Sequence, residues 1–179
     1  MKRRRGGVFA LLAFAWMVGA YAQGTAVDPQ ADQQLRRLLV DFHVGEVMSM
    51  GIARESAQLN GTPLQGLFDQ LNTVPEEVMA EVVAPALHGH VNGDDARKIS
   101  DFLETPKGQE LIRWMLQHAR DPQSNAPKPS INDSQAKAFI ANGGYAAMKG
   151  FSEYMRSPEF QRKASIAVLH YVTRPEANN

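Results

Sequence analysis

The chain of 179 residues contains no cysteine, and aromatic residues make up only 8% of it. Without cysteine the protein cannot form a disulfide scaffold, a thiolate zinc site, a cysteine nucleophile or a lipid-anchored amino-terminal cysteine. Basic and acidic residues balance at 19 each, so no strong charge marks the chain as a whole. The apolar share of 44% excludes a disordered chain, and the length fits a single domain.

Residues 1–22 have the pattern of a cleavable signal peptide. A basic stretch, Lys2-Arg3-Arg4-Arg5, precedes an uncharged and mostly apolar run from Val8 to Val18, and Ala20-Tyr21-Ala22 follows as a small-x-small cleavage site. The apolar run is shorter than the about 20 residues that span a bilayer, so we expect no stable membrane span after cleavage. We therefore predict a periplasmic protein with one domain over residues 23–179.

Removal of the signal peptide would leave 15 basic and 19 acidic residues, which gives a net charge of −4. The charge is unevenly distributed, because residues 23–98 carry −6 and residues 99–179 carry +2. No basic stripe remains that would neutralise phosphates, and we therefore expect no nucleic-acid partner.

Nearly every segment of the predicted mature chain has helical periodicity, and no alternating apolar run predicts a strand. We predict an all-α, compact bundle of about seven or eight short amphipathic helices. The first helix starts at Asp28-Pro29 and continues to about Gln58, with Gly45 or Gly51 as a candidate bend.

Three further features predict where later helices and loops begin and end. Thr73-Val74-Pro75-Glu76 has the pattern of a capping box, in which the threonine caps a helix and the glutamate reaches back to the cap. Three prolines in residues 121–133 predict one long, Pro-rich loop. The helices after this loop are predicted over about residues 134–141, 144–155 and 158–172.

A repeated corner joins two pairs of predicted helices. The stretch Phe102-Leu103-Glu104-Thr105-Pro106-Lys107-Gly108-Gln109 aligns with Tyr154-Met155-Arg156-Ser157-Pro158-Glu159-Phe160-Gln161. A residue before proline adopts extended geometry, which suits an N-cap, and proline fits the first helical position without losing a hydrogen bond. We predict two sharp helix–helix corners, in which Gly108 permits a close backbone approach that Phe160 does not.

The first corner resembles the hallmark of a widespread bacterial family of exported, uncharacterised helical proteins, written aromatic-Tyr-x-Ser/Thr-Pro-x-Gly. Phe102, Thr105, Pro106 and Gly108 match this pattern, and Leu103 stands where tyrosine is common. The order of signal peptide, amphipathic helices, motif and final helix is also similar. The resemblance implies an exported helical fold, and it carries over no catalytic residues because the family has no established activity.

Glu46 and His43 are the first candidate binding residues. In one straight helix, Glu46 would fall among apolar residues such as Leu39 and Phe42, where a carboxylate is costly unless it is paired. His43, three residues earlier, could pair with it. In the alternative, Gly45 bends the helix and turns Glu46 to solvent.

His88, His90, Asp94 and Asp95 are the second candidate group, because histidine nitrogen with carboxylate oxygen is a donor set that suits zinc. The structural alternative is a helix start at Asn92, with both aspartates at the positive end of the helix dipole. No other cluster supplies ligands at a recognisable spacing, so we predict no metal site and no cofactor.

No hydrolase, zinc-protease, phosphate-loop or dinucleotide motif is present in the sequence. Gln109 and Gln161 could bind a ligand, but we expect them to make first-turn backbone or cross-helix hydrogen bonds. We predict a non-catalytic protein that binds another envelope or secreted protein, chaperone-like or inhibitor-like, through a helical face or the Pro-rich loop. The alternatives are a small-ligand or divalent-metal binding protein and an enzyme with a non-local site, and self-association is also open.

Overall fold

A computed structural model describes residues 28–56, 65–121, 123–130 and 132–174. These residues form nine α-helices and one 3₁₀ helix without any strand, which confirms the predicted all-α class. None of the described helices has the length and apolar character needed to cross a bilayer. The predicted signal peptide lies outside the described residues. The helices are α1 (Pro29–Asp41), α2 (Val44–Ser56), α3 (Gln65–Leu71), α4 (Glu76–Val83), the 3₁₀ helix (Ala84–Leu87), α5 (Gly93–Leu103), α6 (Pro106–Arg120), α7 (Ser134–Ala141), α8 (Gly144–Met155) and α9 (Pro158–Val172).

Helix α1 lies at the centre of the packing, where it contacts α2, α4, α5 and the 3₁₀ helix. Its Leu35, Leu38 and Leu39 follow helical spacing on one face and are at most 2% exposed. Burial of each such side chain contributes about 1.5–3 kcal/mol relative to exposure. Helices α4 and α5 supply further fully buried side chains to the same core, among them Val83, Ile99 and Leu103.

The first predicted helix is in fact two helices. A turn at Phe42 and His43 separates α1 from α2, and His43 has a φ of 55°. The break precedes Gly45, so the predicted bend at Gly45 or Gly51 is wrong. Packing fixes the turn on both sides, because the Phe42 ring makes an edge contact with Phe151 of α8 at 5.1 Å and Val44 is fully buried. Histidine is among the residues that tolerate left-handed backbone more readily than most.

Both predicted corners have the expected cap geometry. Thr105 Oγ1 accepts a hydrogen bond from the Gly108 amide at 3.1 Å, and Ser157 Oγ accepts one from the Phe160 amide at 3.1 Å. The proline after each cap occupies the start of the next helix. Each cap residue therefore satisfies one amide that has no partner within its own helix.

The two glutamines of the corners bond to the backbone, as expected from the sequence. Gln109 Nε2 donates to the Leu103 carbonyl at 2.9 Å, and Gln161 Nε2 donates to the Arg156 carbonyl at 3.4 Å. Each accepting carbonyl lies at the carboxyl end of the helix before the corner, where carbonyls lack intrahelical donors. The glutamines therefore tie each following helix to the end of the preceding one.

The two corners lie at opposite ends of the packed pair α5 and α8. Phe102, at the first corner, stacks on Phe139 with ring centroids 4.1 Å apart, and Phe139 in turn lies against Gly144 at the start of α8. Tyr154, at the end of α8, stacks on His90, just before α5, at 3.9 Å. Helices α5 and α8 therefore run antiparallel.

Gly108 lies directly against the backbone of the first corner, since a Cβ there would meet the Phe102 carbonyl oxygen and lie 2.5 Å from Leu103 Cα. Gly108→Ala is expected to lower the free energy of unfolding by more than about 2 kcal/mol, because backbone atoms cannot move aside cheaply. The control is Gly150→Ala on α8, where a Cβ meets nothing within 4 Å. Gly150→Ala should raise the free energy of unfolding by about 0.5–1 kcal/mol, because alanine has a higher helix propensity than glycine. Urea unfolding measures both, and equal effects would contradict the close approach.

Candidate functional site

The amino terminus of α2 is capped by a carboxylate from another helix. Glu76 of α4 accepts hydrogen bonds from the amides of Gly45 at 2.7 Å and Glu46 at 3.3 Å. Gly45 makes room for this contact, because a Cβ there would lie 2.6 Å from a carboxylate oxygen of Glu76. A carboxylate at this end of a helix satisfies unpaired amides and complements the helix dipole.

The capping box predicted for residues 73–76 is therefore wrong. Helix α4 begins at Glu76 after Pro75, which makes no side-chain cap. Thr73 lies in the preceding turn, where its hydroxyl donates to the Gln70 carbonyl at 2.8 Å. The capping-box pattern assumes that Glu76 bonds within its own helix, whereas its carboxylate accepts hydrogen bonds from amides about thirty residues away along the chain.

Glu46 is neither buried among apolar residues nor turned fully to solvent. Its side chain is 29% exposed, and its carboxylate accepts a hydrogen bond from the Arg120 guanidinium at the end of α6. The other carboxylate oxygen lies 4.0 Å from His43 Nδ1. The predicted neighbours His43 and Glu46 are thus brought together, but the main partner of Glu46 is an arginine from a distant helix.

His88 and His90 pair with carboxylates on two different helices. His88 Nε2 lies 3.0 Å from Asp32 Oδ1 of α1, and His90 Nε2 lies 3.2 Å from Glu159 Oε1 of α9. The two imidazoles therefore do not converge on one site. Together they connect the segment before α5 to the first and last described helices.

Asp94 and Asp95 belong to the start of α5, as the structural alternative predicted. Asn92 Oδ1 accepts a hydrogen bond from the Asp95 amide at 2.8 Å, and Asp94 forms an ion pair with Arg97 at 3.1 Å. Across the described ranges, no group of three or more histidine, aspartate and glutamate side chains is arranged to hold a metal ion.

A half-open groove of about 280 Å³ lies between α8 and the segment before α5. Its walls contain His90, Asp95, Phe151 and small residues of α8. Both titratable side chains have partners already, since His90 pairs with Glu159 and Asp95 lies 3.5 Å from Lys98. The groove is therefore lined by groups that stabilise the fold rather than by a free acid and base.

Asp41 is a half-buried acid that carried no motif in the sequence. Burial raises the pKa of its carboxyl, and this effect is opposed by the Ser100 hydroxyl and by Arg37, whose nearest nitrogen lies 3.8 Å away. Among the described residues, neither Asp41 Oδ2 nor Ser100 Oγ has a hydrogen bond of ordinary geometry. The sequence indicated its burial only through spacing, because Asp41 follows the buried Leu38 by three residues and therefore lies on the same helical face.

Part of the Pro-rich loop is held against α6. Trp114 Nε1 donates a hydrogen bond to the Ala126 carbonyl at 3.1 Å, and Gln117 Nε2 donates to Ser124 Oγ at 3.1 Å. Pro129 is buried. Ser124 and Ala126 therefore contact α6, and the buried Pro129 is not exposed to solvent, which leaves less of the loop free to meet a partner.

The large apolar side chains that are exposed in the described part of the chain fall into two pairs. Ile140 and Tyr145, 45% and 57% exposed, flank the turn between α7 and α8. Ile166 and Leu169, 44% and 46% exposed, lie on the outer face of α9. The sequence carried a signal for the second pair, because apolar residues of α9 occur on both sides of the helix.

No protein-family model, curated protein or solved structure matches this chain. The resemblance of the first corner to an exported helical family therefore stays a prediction from its motif.

Glu76→Ala should lower the free energy of unfolding by about 1–3 kcal/mol, because it leaves the Gly45 and Glu46 amides without their acceptor. The matched control is Glu77→Ala, an exposed glutamate in the same first turn of α4, for which we expect a change within about 0.5 kcal/mol. Urea unfolding at constant pH measures both variants. Equal losses would mean that the carboxylate acts through the α4 dipole and not as the cap of α2.

Asp41→Asn should stabilise the protein near neutral pH. Because the folded chain raises the Asp41 pKa above its ordinary value of 3.8, the stabilising contribution of Asp41 is complete below that value. The contribution is lost as the pH rises through the folded pKa. The variant's melting temperature should therefore exceed the wild-type value at about pH 7, and the difference should shrink towards about pH 3. Asp101→Asn, which also removes a partner of Arg37 but at an exposed position, is the control and should show no gain.

Proposed function

We propose that this protein is a non-catalytic periplasmic protein that binds another envelope or secreted protein through an exposed helical surface. The observation that supports this function best is a contrast between polar and apolar side chains. The candidate acids and bases are paired with one another across helices, while two pairs of large apolar side chains on α7 to α9 are exposed.

The polar side of the contrast argues against a reaction centre. An active site usually brings titratable groups together in a cleft, where their environment shifts their pKa values. Here Glu46, His88 and His90 each pair at a different helix junction. Their shared effect is to hold distant helices together, which is a structural role.

The apolar side of the contrast supports a partner. Single exposed apolar side chains are ordinary on a protein surface, but grouped ones mark interaction sites more often. Ile140 and Tyr145 adjoin one turn, and Ile166 and Leu169 share one helix face. The predicted signal peptide and the resemblance of the first corner to exported proteins favour a partner in the periplasm or beyond.

The test is photo-crosslinking of the full chain during growth of its native bacterium. A photoreactive amino acid replaces Tyr145 or Leu169, and a third version carries it at Asp94, which is 74% exposed and lies among polar groups. We expect one adduct of defined mass from Tyr145 or Leu169, confirmed by reciprocal capture with the identified partner, and none from Asp94. Absence of any specific adduct under several growth conditions would contradict the proposed function. Recovery of uncleaved protein in the cytoplasm would contradict its periplasmic location.

A further inference from the structure

Helix α9 has apolar side chains on two faces. Its inner face holds Phe160, Ala164 and Val168, which are 3–6% exposed within the core. Its outer face holds Ile166 and Leu169, which no other described element covers. A surface helix ordinarily has a single apolar stripe with polar residues opposite, so packing among the described residues does not account for the outer apolar pair.

Unpaired positive charges accompany this outer face. Arg162, Ile166 and Leu169 lie on the same side of α9, since they are spaced i, i+4 and i+7. Arg156 precedes the helix at its corner, and Arg174 follows its carboxyl end. In the described part of the chain, these three arginines have no carboxylate within ion-pair distance.

Most other described arginines do have carboxylate partners. Arg36, Arg37, Arg97 and Arg120 all form ion pairs, and Arg113 on α6 is the one further arginine without a carboxylate partner among those whose side chains the structure describes. Three of these four unpaired arginines therefore lie on or beside α9, although residues 23–179 carry a net charge of −4. Two lysines without a carboxylate partner among the described residues, Lys128 and Lys137, lie elsewhere, in the Pro-rich loop and on α7. An occupant of this face would gain from carrying carboxylates beside an apolar stripe.

We propose that the outer face of α9 docks an acidic amphipathic helix of the protein partner. Ile166 and Leu169 would contact the partner's apolar stripe, and Arg156, Arg162 and Arg174 would pair with carboxylates at its margins. A helix fits because its side chains repeat at the same i, i+4 and i+7 spacing. This inference rests on the proposed function, and it names both the surface and the chemistry of the partner.

The charges disfavour two other occupants. Two copies of α9 packed face to face would bring Arg162 and Arg174 of each copy close to the cations of the other, and like charges across an interface are costly. An anionic bilayer would attract the arginines of α9 but repel a protein whose net charge is negative. Both occupants are nevertheless outcomes of the test.

Binding is measured with two fluorescent synthetic peptides of about 20 residues, long enough to cover the length of α9. Both carry leucine at i, i+3, i+4 and i+7, and glutamate flanks the leucines in one peptide and lysine in the other. The expected result is that the full mature chain binds the glutamate peptide, and that added salt weakens the binding. The lysine peptide should bind at least about tenfold more weakly.

Variants of exposed side chains then locate the binding surface. Ile166→Ser combined with Leu169→Ser should weaken binding of the glutamate peptide by about tenfold or more. Arg162→Glu should weaken it by about two- to fivefold and strengthen binding of the lysine peptide. The matched control for Arg162→Glu is Arg113→Glu, which reverses the charge of another exposed and unpaired arginine, on α6, and should leave binding of both peptides unchanged. Unaltered melting temperatures establish that the variants are folded.

Several results would overturn the assignment. Equal binding of the two peptides, or binding that the α9 variants do not change, would exclude an acidic helix on this face. Binding to phosphatidylglycerol vesicles but not to phosphatidylcholine vesicles, lost in the α9 variants, would assign the face to lipid instead. Dimerisation in sedimentation experiments, lost in the same variants, would assign it to a second copy. A crosslinked partner obtained at Tyr145 but not at Leu169 would preserve the proposed function while refuting this surface.

Discussion

A hydroxyl side chain followed by proline fixes the direction of the chain at two places, and the arrangement of the carboxyl-terminal helices depends on it. At each corner the residue before proline is held in extended backbone geometry, so its hydroxyl reaches the amide of the next turn. Gln109 and Gln161 then bind carbonyls of the helix just ended. Because α5 and α8 pack antiparallel, the two corners close opposite ends of one helix pair.

The parts of the fold that were predictable are those with local causes. The helices around the two corners and after the Pro-rich loop begin and end as expected, because their caps, prolines and apolar spacing lie within a few residues of one another. The break at Phe42 and His43 was not predictable from glycine positions. It depends on the packing of Phe42 against Phe151, more than a hundred residues later in the chain. The capping box at Thr73 failed for a related reason, since the Glu76 carboxylate accepts hydrogen bonds from the amides that begin α2 instead of from its own helix start.

The candidate site was only partly predictable, because its residues act through distant partners. Spacing alone placed His43 near Glu46, and the helix start at Asn92 could be recognised from its own residues. The partners of Glu46, His88 and His90 lie 74, 56 and 69 residues away along the chain. No periodicity or motif encodes such a pairing. A sequence can therefore indicate which side chains could act as acids, bases or ligands. The tertiary packing decides whether those side chains are already paired with other residues.

The segment that carries His88 and His90 joins the two ends of the described structure. His88 is bound to α1 and His90 to α9, and Tyr154 adds a hydrogen bond of 2.9 Å to the Ala86 carbonyl just before this segment. A local opening of this segment would release contacts to both terminal helices at once. The amide protons of α1 and α9 should consequently exchange with solvent as one cooperative unit, although the two helices are far apart in the chain.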